Sequence, residues 1–397
     1  MKRGVLLISL IAMAAIGKAE DPVSSSAPKQ DDENKGKFTF SGYIDSYYFA
    51  NFNRPASRSN LGAAGNARAF DQRAGQFSLG LVQTRIGYST TKSDVVVDLA
   101  FGPNADLGNY GNLVGPLGSN STALAIKQAY FNWKATDKLT FTAGQFGTHI
   151  GYEVIDAPVN YNYSLSNLFN NGPFYHIGVK ANYAFSDRTA LMVGVVNNID
   201  NLNDNNRSKG LIGQFFVSPA SGWNLYLNGM VSNEANPKAN GKDSTGMYAI
   251  LDLTTTYQIT NKFFLGLNAA YGGQKGDYQG TGNIGNTKNW GGVALYSNYA
   301  ISDKVGLGAR YEIFDNKSGA RALRNALGEG TSVNSITITA NITAADGHLL
   351  LKPEFRVDSY AKPTARGAEK NFQFEDSNGE FTKSSQATLG MAMIYKF

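Results

Sequence analysis

The chain closes on ATLGMAMIYKF, residues 387–397, and how this stretch is read decides the fold. Counting back from Phe397, every second residue is bulky and apolar: Tyr395, Met393, Met391 and Leu389. Lys396, Ala392, Gly390 and Thr388 fall between them. Strand side chains alternate between two faces, so the segment has one apolar face and one small or polar face. The alternation runs to an aromatic last residue, where strands of soluble proteins rarely stop.

Composition agrees with many such strands. Charged residues make up 17% of the chain, below the usual quarter of soluble domains, while glycine and aromatic residues are plentiful. Lys2 and Arg3 precede an apolar run over residues 5–16, and Gly17 and Ala19 are small, so residues 1–19 predict a secretory leader cut after Ala19. The run is too short to span a bilayer, and no later segment offers the roughly 18 consecutive apolar residues of a membrane helix. Residues 20–37, polar and broken by Pro22 and Pro28, predict a disordered periplasmic tether. With no cysteine the chain has no disulfide framework, lipidated N-terminus or thiolate metal site. Three of its 36 basic residues lie in the leader, which leaves 33 against 31 acidic. So small an excess gives no reason to expect nucleic acid as a partner.

From Phe38 on, candidate strands alternate with two kinds of connection. Short ones recur with similar text: Ala135-Thr-Asp-Lys138, Phe185-Ser-Asp-Arg188, Ile259-Thr-Asn-Lys262 and Ile301-Ser-Asp-Lys304. Their Asp and Asn side chains are expected to close the turns on the backbone. Long ones, rich in Gly, Asn and Ser, cover residues 51–73, 103–121, 148–173, 200–208, 234–245, 276–287, 316–330 and 361–384. Strict alternation of short and long is the asymmetry of an antiparallel up-and-down transmembrane β-barrel, and about sixteen strands fit over residues 38–397. Alternation is clearest at residues 223–232, 305–315 and 348–360, and it is mixed at 75–89, 122–134 and 189–198. Trp133, Phe185, Trp223, Tyr257, Phe263, Trp290, Tyr299 and Tyr395, near strand ends, are expected in the two interfacial girdles.

A barrel this wide is not filled by its own wall, so an aqueous channel is the expectation. Inward parity assigns Arg85, Asp98, Lys180, Asp252, Arg310, Glu312, Lys352, Glu354, Arg356 and Asp358 to the pore lining. A basic residue at the bilayer midplane costs roughly 2–4 kcal/mol, which drives such rows inward. Opposed charge rows would set a transverse field across the pore; the alternative is that they pair and hold the wall. Residues 148–173 carry His149, Tyr152, Glu153, Asp156, Tyr161 and Tyr163, and so aromatic a loop is a candidate constriction folded into the lumen. An external loop packed on its neighbours is the competing expectation. Tyr43, Tyr47 and Tyr226 are candidates for stacking on sugar rings. Catalysis has little support, because His149, His176 and His348 lie in separate elements. The calcium-like run DNLNDNN, residues 200–206, lacks the final Glu of the helical calcium loop, so no metal or cofactor is expected.

The terminal alternation is similar to the insertion signal of outer-membrane proteins, which implies that Leu389, Met391, Met393, Tyr395 and Phe397 are read by the barrel-insertion machinery. GYIDSYY (42–48) with NFNRP (51–55), the run from Gly144 to Val179, and KPEFRVD (352–358) resemble the putative beta-barrel porin type 2 family. That resemblance covers residues 38–397 and implies a porin-like barrel, with no established substrate or catalytic set. The expectation is therefore a bacterial outer-membrane porin, surrounded by lipid and compatible with a homotrimer, that passes small hydrophilic solutes or ions passively. A surface adhesin or receptor with a closed lumen is the alternative.

Overall fold

The structure, a computed structural model, describes residues 36–108, 122–236, 245–276, 286–363 and 371–397. The leader and residues 20–35 lie outside the described residues, and Lys37, read as the last tether residue, already belongs to the first strand. The strands of the first half are β1 (Lys37–Asn51), β2 (Phe77–Ser89), β3 (Ser93–Phe101), β4 (Ile126–Lys134), β5 (Leu139–Gly147), β6 (Tyr175–Ser186), β7 (Thr189–Val196) and β8 (Gly210–Ala220). Those of the second are β9 (Trp223–Asn233), β10 (Gly246–Gln258), β11 (Phe263–Gly276), β12 (Lys288–Ser302), β13 (Val305–Asp315), β14 (Ser332–Ala344), β15 (Leu349–Tyr360) and β16 (Ser385–Lys396).

Each strand pairs antiparallel with its neighbours in sequence, and β16 pairs with β1, so the sixteen close into a barrel. The seam runs from Tyr43 opposite Lys396 to Asn51 opposite Thr388. Phe397 completes it, because Gly42 and Phe397 exchange both backbone hydrogen bonds at 2.9 and 3.0 Å. Closure leaves no unpaired edge, which a sheet in hydrocarbon requires. Outward positions such as Leu251, Tyr271, Leu295, Ile313 and Leu389 are exposed and apolar, as a lipid face demands.

Two details differ from the sequence expectation, and a third is explained. In the short turns the Ser or Thr hydroxyl, not the Asp or Asn after it, meets the backbone: Thr136 accepts from Lys138 and Leu139, Ser186 from Arg188, and Thr260 from Lys262 and Phe263. A hydroxyl two residues ahead of an N–H forms the same closed ring as an Asx turn. Trp290 leaves the girdle; it points inward, 2% exposed, against Phe314 and over Gly272, where an added Cβ would sit 2.5 Å from the indole. The mixed parities have structural causes. In β2 the register jumps from Val82 opposite Ile44 to Leu79 opposite Ser46, so an extra residue flips the faces on either side. In β4 a second bulge inserts Lys127 between the pairs Asp98–Gln128 and Leu99–Ile126. β7 is regular, but Met192 and Val196 pack inward against an occupied interior, so both its faces are apolar.

Pro353 interrupts the β14–β15 ladder between the pairs Thr339–Glu354 and Ile342–Leu351 without shifting the register. The loss is local, as expected where one donor is missing.

Candidate functional site

Residues 148–174 leave β5, fold into the barrel and return to β6. Their neck is closed by Thr148, whose N–H donates to Phe174 O at 2.9 Å. From there the loop touches the wall in turn. His149 Nε2 lies 3.2 Å from Gly229 O on β9, and Gly151 N–H donates to Asp252 on β10. Tyr152 stacks on Tyr296 of β12 with centroids 4.0 Å apart, in space that Gly266 leaves by having no Cβ. Glu153 pairs with Arg310 of β13. Asn341 of β14 donates to Tyr161 O at 2.9 Å. Tyr163 packs between Tyr47 and Phe49 of β1.

A chain segment inside a barrel must find partners for its peptide groups, since buried N–H and C=O groups are costly when unpaired. The wall charges supply them. Glu354 accepts from Tyr163 and Ser164 N–H at 2.7 and 3.1 Å, and Glu312 from Asn167 and Leu168 N–H at 2.8 and 2.7 Å. Arg310 donates to Ser164 O, Arg356 to Leu165 O, both at 2.7 Å, and Lys352 to Ala157 O at 2.9 Å and to Asn160 O. The short helix α1 (Asn167–Asn171) starts here, capped by Ser166, whose hydroxyl accepts from Phe169 N–H.

The ten residues assigned to the pore lining therefore fall into three settings. Arg310, Glu312, Lys352, Glu354, Arg356 and Asp358 point inward but are at most 2% exposed, covered by the loop and by residues 51–76. The expected transverse field is corrected accordingly: these charges are spent on backbone groups and on one another rather than on open lumen. Asp252 is buried and bonded to Asn228 and Asn268; Lys180 is buried with its ammonium 4.2 Å from the centre of the Phe146 ring. Arg85, 3.7 Å from buried Asp98, keeps a side chain that is 47% exposed.

Sequence reasoning missed two anchors. Arg68, from residues 51–76, is buried and reaches Asp358 at 2.9 Å, Thr388 at 2.8 Å and Asp71. No pattern marks it, because it sits in a loop. Lys127 is turned inward by its bulge to Gln83, at 2.8 Å, and to Asp156. Burial works to raise the Asp156 carboxyl, but the Lys127 ammonium beside it prevails and holds it below the usual range. Burial lowers the His149 pKa to about 4. His176 meets Thr148 Oγ1, and His348 stacks on Tyr395 at the short-turn rim. Asp200 of the calcium-like run accepts from Phe174 and Tyr175 N–H. Among the described residues no three His, Cys, Asp or Glu are grouped to hold a metal.

The loop leaves space beside it. Between its flank and the wall of β2 to β9 lies a cavity of about 660 Å³, lined among others by Arg85, Gln145, Tyr152, Phe216, Asn224 and Tyr226. Its lining reaches Lys396 and Phe397 at the short-turn rim and Asn104 and Leu124 at the long-loop end.

Residues 37–397 match the family model described as putative beta-barrel porin-2, OmpL-like. Among solved structures the chain is similar to a trimer form of OmpT, an outer membrane protein of Vibrio cholerae, at 12% identity over 91% of this chain and 99% of that one, with a TM-score of 0.57. It is similar to an anion-selective porin from Comamonas acidovorans at 10% identity, over 91% and 100% of the two chains, with a TM-score of 0.56. The outer membrane channel DcaP of Acinetobacter baumannii gives 12% identity, 94% and 100% coverage and a TM-score of 0.54. At such identities the likeness is one of fold. Comparison with curated protein sequences gives no match. A family match over the whole described barrel, on a closed sixteen-strand sheet with an apolar exterior, places this chain in the putative beta-barrel porin-2, OmpL-like family as a bacterial outer-membrane porin.

Proposed function

We propose that this porin passes small hydrophilic solutes and ions by passive diffusion, along the passage between residues 148–174 and the wall of β2 to β9. The observation that carries this reading is the cavity left beside a loop most of whose backbone bonds go to β10 and β13 to β15. The loop backbone is bound to β10 and β13 to β15, and His149 and Asp156 add single contacts to β9 and β4, while along β2 to β9 a cavity remains whose lining extends toward both rims. A filter fixed to the wall limits size without needing to move, and water supplies the rest of the solvation. Arg85, the most exposed charge of the ten wall residues, and the Lys127–Asp156 pair are the groups a passing ion meets.

Planar-bilayer recording of the purified protein tests this. Steady single-channel current is expected; silent bilayers with folded, inserted protein would favour a closed barrel acting as a surface receptor. Residues 1–19 are proposed as a cleaved leader, so the mature chain should begin at Glu20 on N-terminal sequencing. A homotrimer is also proposed, supported by the trimer form of the Vibrio cholerae neighbour; native mass spectrometry in detergent should find three copies.

A further inference from the structure

Of three tyrosines facing inward on β1 and β9, two are used up by the fold. Tyr43 and Tyr47 are 4% and 3% exposed, and Tyr47 packs on Tyr163 of the inserted loop. Tyr226 is different. It lines the cavity beside Phe216, its register partner on β8, with ring centroids 4.9 Å apart. Tyr152 and Tyr161 of the loop line the same cavity, Tyr161 with its ring 5.4 Å from Phe264. Aromatic surface is thus offered from both the wall and the loop.

Two polar groups in this part of the lining are neutral amides. Asn182 on β6 and Asn224 on β9 face the same cavity and are half-buried. Most other amides in the lining are engaged: Gln83 with Lys127, Gln128 with Asp98, and Gln214 with Asn228. The inner charges are paired, Lys127 with Asp156 and Arg85 with Asp98, while Asp187 and Lys396 stand at the short-turn rim. Flat apolar faces beside uncharged amides suit a solute that is itself flat and apolar on its ring faces and hydroxylated at its edge.

We infer that Phe216 and Tyr226, with Asn182 and Asn224, form a stacking subsite for neutral polyhydroxylated rings, the chemistry of a pyranose sugar. The inference rests on the open-passage reading above and adds a solute class to it. A ring stacked on Phe216 and Tyr226 narrows the remaining passage while it stays, so each visit interrupts the ion current.

The test is single-channel recording with glucose, then maltotriose, added to the bath, and with benzoate as a flat ring lacking hydroxyls. Wild-type protein is expected to show interruptions whose frequency rises with sugar concentration. The Phe216→Ala/Tyr226→Ala variant should show steady ion current equal to or larger than that of the wild type, which reports folding, and lose sugar interruptions several-fold. Tyr226→Phe should keep most of them, because the ring remains, and Asn182→Ala/Asn224→Ala should shorten each one. Uninterrupted current with sugar, or equal interruption in the double aromatic variant, overturns the subsite while steady conductance upholds the porin reading. Benzoate interrupting as well as sugar overturns the polyhydroxylated class. Silent bilayers overturn both proposals.

Discussion

Glu312 and Glu354 each accept two peptide N–H groups from one loop, on strands separated by β14. Removing such an acceptor leaves buried donors unpaired, at about 1–3 kcal/mol each. Glu312→Ala and Glu354→Ala should therefore loosen the loop and raise both conductance and current noise, with the double variant larger than either single one. His149 acts at the neck through burial, next to His176 and Lys180. Its folded pKa of about 4 lies below the unfolded value of about 6.5, so the unfolded neck takes up a proton that the packed one refuses. The anchor is at full strength above about pH 6.5 and weakens as pH falls toward 4, by roughly 3 kcal/mol in all. Loop proteolysis should accelerate across that window in the wild type and respond less to pH in His149→Gln. None of these bonds to the loop backbone can be read from parity, which gives direction and not partner.

Strands were legible where one face is lipid and the other is polar, and less so where the interior is packed. β13 and β15 alternate cleanly because Arg310, Glu312 and the row from Lys352 to Asp358 can only face inward. β7 does not, because Met192 and Val196 bury against the loop-filled side as Leu191 and Val193 meet lipid. The bulges in β2 and β4 escaped because an extra residue is defined only by the strand opposite. Gly80 is bound to its bulge, since a Cβ there would lie 1.7 Å from Asp45 Oδ1. Gly80→Ala must displace Asp45 from Leu81 N–H, and overpacking of this kind costs about 1–3 kcal/mol. The folded, heat-modifiable band on a denaturing gel should convert to the unfolded one at a lower temperature in this variant.

At the scale of the molecule, the sequence carried barrel, strand number and loop asymmetry, because lipid constrains every outward residue. It carried the passage poorly. Whether residues 148–174 lie inside or outside depends on contacts with strands far apart in the chain, from β1 to β15, and aromatic content alone suits either place. On the proposed function, this loop sets the width of an open pore. Single-channel conductance of the wild type beside a variant with residues 152–166 replaced by a short Gly-Ser link tests it most directly. A steady wild-type current is expected that rises several-fold in the shortened variant, while the folded band and insertion are retained. Equal conductance in the two proteins, both folded and inserted, would contradict it.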